Sequence, residues 1–112
     1  MAKQDKYKCH AAIQATLEII GGKWKPLILW HLLAKKMRFN ELQKSLGKIS
    51  QKTLANELRS LEKDGLVHRE VYRQVPPKVE YWITPDGRSL EKILSAAANW
   101  QQAHRLKFKK DQ

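Results

Sequence analysis

The residues best suited to chemistry lie on one side of the segment Gln51–Lys63. Leu54, Leu58 and Leu61 recur there at helical spacing and define the side to be buried. Opposite them, at about 100° per residue, come Lys52, Asn56, Arg59 and Lys63, flanked by Thr53 and Ser60. A carboxamide pairs bidentately with adenine, a cation takes guanine or a phosphate, and a threonine offers a hydroxyl or touches a thymine methyl. The chemistry on offer is therefore the reading of a DNA groove. Asn56 suits adenine, Lys52 and Arg59 suit phosphate or guanine, and Thr53 suits thymine. Gln51, in the first turn beside the helix-starting Ser50, could do the work of Asn56. Glu57 and Glu62 fall nearer the core edges, so no acid stands at the centre of this face.

A second group of cations follows. Arg69 and Arg73 share one face of an expected strand, and Lys78 stands at the tip of the expected hairpin. Arg38 and Asn40, at the start of the preceding helix, suit phosphate contacts that fix orientation. Solvated charges on an edge strand would look the same, since such charges discourage edge-to-edge pairing.

The elements that must position these groups are legible as changes of period. Ala11 to Ile20 carries Ile13, Leu17 and Ile20 at helical spacing, and Gly21-Gly22 stops it. Pro26 opens a helix to Ala34 that is apolar on nearly every side, which predicts the central helix of the core. A basic connection, Lys35-Lys36-Met37-Arg38, leads to a short helix from Phe39 to Leu46, closed by Gly47. Ser50 caps the helix Gln51–Lys63, which ends at Asp64-Gly65. Leu66 to Arg73 and Val79 to Thr84 then alternate as two antiparallel strands around a proline-stiffened tip. Thr84-Pro85-Asp86 starts a final helix with Leu90, Ile93, Leu94, Ala97, Trp100 and His104 on one face. Two short helices joined by a turn, followed by a hairpin, make a winged helix-turn-helix. The expected class is mainly α with a small β-hairpin (α+β).

Bulk composition narrows the partners. The chain has 112 residues, 42% of them apolar, enough for one domain (1–112, core about 9–104) and one core. Its formal net charge of +11 favours polyanions, either nucleic acid or an anionic membrane surface. The longest apolar stretch, Leu27 to Ala34, is interrupted by His31 and is too short to span a bilayer. No secretory leader pattern opens the chain, so a cytoplasmic protein is expected. A single cysteine, Cys9, excludes an internal disulfide and a thiolate-rich zinc site. The histidines His10, His31, His68 and His104 lack ligand spacing, and no acid pair or phosphate-cradling loop suggests catalysis. Neither an enzyme nor a bound metal or cofactor is expected. Two other readings stay open: a nucleoid-like or RNA-binding basic protein with no operator preference, and a winged helix used to dock proteins.

Five segments in order carry a family resemblance. They are Gly21-Gly22-Lys23-Trp24-Lys25-Pro26-Leu27-Ile28-Leu29-Trp30, Arg38-Phe39-Asn40-Glu41-Leu42, Ile49-Ser50-Gln51-Lys52-Thr53-Leu54, Leu61-Glu62-Lys63-Asp64-Gly65-Leu66 and Val75-Pro76-Pro77-Lys78-Val79-Glu80-Tyr81. Over roughly residues 9 to 101 the chain resembles the HxlR-type winged helix-turn-helix regulators of the MarR-like superfamily. The resemblance implies a bacterial transcription regulator, a homodimer built from the terminal helices, and recognition helices in successive major grooves of a palindromic operator. The final helix, with Trp100 and Leu106, permits such a dimer, and burial of Trp100 in the monomer core is the alternative. Some relatives use a cysteine near the start of the first helix to sense oxidants or electrophiles, and Cys9 stands there. Lys6, Lys8 and His10 surround it with the positive charge that favours thiol reactivity, and His10 replaces the proline frequent in the family. A small apolar residue without a sensing role is the alternative for Cys9.

Overall fold

Leucine-rich helix faces meet one side of a small sheet, and that junction is the core. The computed structural model describes residues 3–105, with side chains from residue 8 onward. The order is α1 (Lys3–Ile20), α2 (Lys25–Ala34), β1 (Met37–Arg38), α3 (Phe39–Leu46), α4 (Gln51–Lys63), β2 (Val67–Tyr72), β3 (Lys78–Ile83), α5 (Pro85–Arg88) and α6 (Glu91–Ala103). Ile28, Leu29 and Leu32 of α2, Leu42 of α3, and Leu54, Leu58 and Leu61 of α4 are fully buried. Met37, Val67, Tyr81 and Ile83 close the core from the sheet side. Truncating one of these leucines to alanine should cost about 2–5 kcal/mol.

Local chemistry sets the element that matters most, α4. The Ser50 hydroxyl accepts the Thr53 N–H at 3.0 Å and caps its start. At its end Gly65 takes φ +76°, a conformation that only glycine adopts without strain. The Leu66 N–H then reaches the Leu61 carbonyl and the Gly65 N–H the Glu62 carbonyl, both at 3.0 Å, which satisfies the last carbonyls of the helix. Thr84 ties the C-terminal part to this point: its hydroxyl donates to the Gly65 carbonyl at 2.7 Å and accepts the Gly87 N–H at 3.0 Å.

Four expectations are revised. The basic connection before α3 contains a strand, so the hairpin is part of a three-stranded antiparallel sheet of order β1-β3-β2. β1 joins it by pairing Met37 with Tyr81 and Arg38 with Glu80. The final helix is two helices, broken at Ser89-Leu90, because the chain turns where Gly87 packs against the Leu66 carbonyl. α2 is not enclosed on all sides: Leu27 and Trp30 stay 43% and 45% exposed. On α1, which begins well before Ala11, only Ile20 of the apolar stripe is buried, and Ile13 and Leu17 are each 60% exposed. Trp100 lies outside the core, 54% exposed, with His104 stacked on it at 4.4 Å between ring centroids. Leu106 falls outside the described residues. Among the described residues no helix is long and apolar enough to cross a membrane.

Candidate nucleic-acid interface

Burying Leu54, Leu58 and Leu61 fixes the rotation of α4 and turns Gln51, Lys52, Asn56, Arg59 and Lys63 to the exterior. Three hydrogen bonds order this face. The Ser50 and Thr53 hydroxyls are hydrogen-bonded to each other at 2.9 Å, and Ser50 Oγ also accepts the Thr53 N–H. One turn on, Arg59 donates from a terminal guanidinium nitrogen to Asn56 Oδ1 at 3.0 Å. Glu57 is turned toward Lys25 of α2, 4.0 Å away, whereas Glu62, expected nearer the core edge, is exposed.

The sheet brings together cations that are far apart in sequence. Because Arg38 pairs with Glu80 across β1 and β3, the start of α3 lies beside the wing. Arg38 and Asn40 line one cleft of about 210 Å³ with Phe39, Pro77, Lys78 and Val79. Lys78 is not a free cation: its Nζ lies 3.7 Å from Glu80 Oε2 and 5.1 Å from the centre of the Tyr72 ring. Partial burial, a hydrogen bond to Glu80 and the charges of Glu80 and Glu70 push the Tyr72 phenol above its ordinary value. Glu80 was not among the residues picked out from sequence, although alternation along a strand places it on the face of Lys78.

Arg69 stands opposite Tyr81 in the β2–β3 register, on the face of the sheet that looks toward α4. With Ala55, Leu58, Arg59, Glu62 and Tyr81 it lines a cleft of about 380 Å³ between α4 and the wing. Among the described residues no ion pair engages Arg69 or Arg59. Arg73 lies exposed just past β2, apart from both clefts. On the opposite face of the sheet His68 and Glu70 pair at 2.9 Å, and Lys36 lies 4.5 Å from the centre of the Trp82 ring. Each cleft carries cations, Arg59 and Arg69 in one and Arg38 and Lys78 in the other, and the first also holds the carboxylate of Glu62.

Cys9 is exposed on α1, between exposed Lys8 and His10. The Lys6 side chain lies outside the described residues. Among the described residues no group of three or more His, Cys, Asp or Glu side chains is placed to hold a metal ion.

Comparison with known proteins agrees with this geometry. A family model described as HxlR-like helix-turn-helix matches residues 19–108. The chain is 49% identical over 98 residues to the HTH-type transcriptional regulator YdeP of Bacillus subtilis, covering 88% of this chain and 77% of that protein. It resembles the crystal structure of the HTH-type transcriptional regulator YtcD with a TM-score of 0.80 and 52% identity, covering 82% of this chain and 94% of that one. The reduced form of the redox regulator HypR superposes with a TM-score of 0.83 at 45% identity, covering 88% of this chain and 98% of that one.

Proposed function

The chain belongs to the HxlR-like helix-turn-helix family of transcriptional regulators, and from that premise we propose that it binds a palindromic operator in double-stranded DNA as a homodimer. The observation that carries this reading is the polar face of α4, ordered by its own hydrogen bonds and flanked by two cation-lined clefts. Asn56 and Gln51, with Thr53, read base edges. Ser50 sets the first turn, and Lys52 and Arg59 border the groove. Arg38, Asn40, Arg69, Arg73 and Lys78 hold the backbone on either side.

The dimer rests on unfilled apolar surface. Pro26, Leu27, Trp30, Leu94, Ala97 and Ala98 line an apolar groove of about 390 Å³ between α2 and α6. The α1 residues Ile13 and Leu17 are equally uncovered. A second copy can supply the helix for the groove and the groove for the helix, as a two-fold interface requires.

Cys9 gives this regulator its response to oxidants or electrophiles. Its exposure on α1 and the likeness to a redox regulator support that role. With one cysteine per chain, a disulfide between subunits has to join the two copies of Cys9, whose Cα atoms must then approach within about 7 Å.

Selection from random duplex DNA at physiological salt tests the reading. An inverted repeat with half-sites about 10 base pairs apart is expected, preferred about 10³-fold or more over random sequence. Oxidant should abolish the enrichment, and Cys9→Ser should preserve it. Binding without an enriched motif would instead mark a nucleoid-like protein.

A further inference from the structure

The hydrogen bond inside α4 constrains what the Asn56 side chain can offer a partner. A guanidinium carries only N–H donors, so the Asn56 atom facing Arg59 at 3.0 Å is its carboxamide oxygen. The Asn56 amide is thereby oriented: Oδ1 is turned to Arg59, and among the described residues no hydrogen bond engages Nδ2. The geometry is that expected of an i, i+3 pair, since side chains on a helix lean toward its N-terminus. Glu62, one turn further on and lining the same cleft, does not draw Arg59 away, as no ion pair joins them.

Bidentate reading of adenine needs Oδ1 to accept from the adenine amino group while Nδ2 donates to N7. Here Oδ1 already holds a charge-assisted bond, and its second lone pair lies beside a positive guanidinium that disfavours an approaching amino group. What the pair turns outward is donors: Asn56 Nδ2 and the remaining Arg59 N–H groups. Guanine presents two acceptors in the major groove, N7 and O6, and no donor. Resting on the operator-reading function proposed above, we infer that Asn56 and Arg59 act as one donor surface that specifies guanine, with Arg59 as the residue that sets the specificity of Asn56. This replaces the adenine assignment that Asn56 suggests when considered alone.

Selection from random duplex DNA with the intact protein, Asn56→Ala and Arg59→Ala tests the inference. The half-site position read by the pair is the one whose preference Asn56→Ala relaxes. The intact protein should prefer guanine to adenine there by about tenfold. Arg59→Ala frees Oδ1 and should turn that preference over to adenine while the rest of the motif persists. Adenine selected by the intact protein overturns the inference. So does an Arg59→Ala variant that keeps guanine and merely binds every sequence more weakly, as loss of a phosphate contact would cause. A protein that enriches no motif overturns the operator reading itself and this inference with it.

Discussion

Replacing Glu80 by glutamine should tighten binding to every duplex. In the free protein Lys78 Nζ lies 3.7 Å from Glu80 Oε2, with the two side chains 28% and 20% exposed. Glu80 also stands opposite Arg38 in the β1–β3 register. One carboxylate therefore neighbours both cations of the cleft at the wing, and an entering phosphate meets its charge. Coulomb's law at this separation with an effective dielectric of about 20 gives about 4.5 kcal/mol. Side-chain entropy and solvent screening cut a part-exposed pair to roughly 0.2–1 kcal/mol, the figure that applies here. The proposed dimer would engage two such clefts, so the substitution should release roughly 0.4–2 kcal/mol, or about 2- to 30-fold in affinity.

Fluorescence anisotropy with a labelled duplex lacking the operator measures this at about 50 and about 200 mM salt. The gain should appear at low salt, shrink at high salt, and be the same for any sequence. Glutamine keeps the volume and an acceptor for Tyr72, so folding should be unaffected. Combining Glu80→Gln with Lys78→Ala should remove most of the gain, because the released ammonium is what profits. No gain at low salt, or a gain confined to one sequence, refutes the reasoning.

Three other perturbations probe different links. Gly87→Ala should lower the melting temperature, since the added Cβ would meet the Leu66 carbonyl oxygen at 2.2 Å and Ile83 Cγ1 at 2.6 Å; overpacking of this kind costs about 1–3 kcal/mol, and calorimetry reads it. Trp30→Glu, on the open face of α2, should leave the circular dichroism spectrum intact and shift sedimentation from the proposed dimer to monomer. The Tyr72 phenol should ionise above the ordinary value near 10. Its contribution to stability is then fully present below that value and lost only as the pH rises through the raised one. Absorbance titration near 295 nm, compared with Tyr72→Phe, checks it, and Glu80→Gln should lower the phenol only in part, because burial, the largest cause, remains.

The helix-turn-helix pair was legible because strong local signals bound it. Gly47, Ser50 and Gly65 each act through backbone geometry or capping, and α3 and α4 run over the expected residues. β1 was hidden because two residues have no period; its existence follows only from the partner strand. Periodicity found the apolar positions of α1 and α2 but could not say what covers them, and Ile13, Leu17, Leu27 and Trp30 remain exposed in the single chain. The final helix was read as continuous because Leu90 and Leu94 keep the helical spacing across a break that tertiary packing imposes at Gly87. At the interface, the cations were visible by type, whereas their companions were visible only by spacing. Asn56 and Arg59 stand three apart on a helix, and Lys78 and Glu80 stand two apart on a strand; both spacings announce contact.

Those companions bear on the proposal that the chain reads sequence and does not merely bind charge. A net charge of +11 would draw the chain to any polyanion, whatever its surface order. Non-specific binding needs cations free to follow phosphates and gains nothing from tying a guanidinium to a neighbouring carboxamide. On α4 the opposite has happened: Ser50 is committed to Thr53, and Arg59 to Asn56, before any partner arrives. Such ordering lowers the entropy lost on docking in that geometry. The wing divides its charges to the same effect. Its outer face pairs His68 with Glu70 and Lys78 with Glu80, whereas Arg69, on the side toward α4, is left uncommitted among the described residues. Attraction is thus concentrated beside the ordered donors of α4, where a phosphate held by Arg69 would bring the adjacent base edge to Asn56 and Arg59.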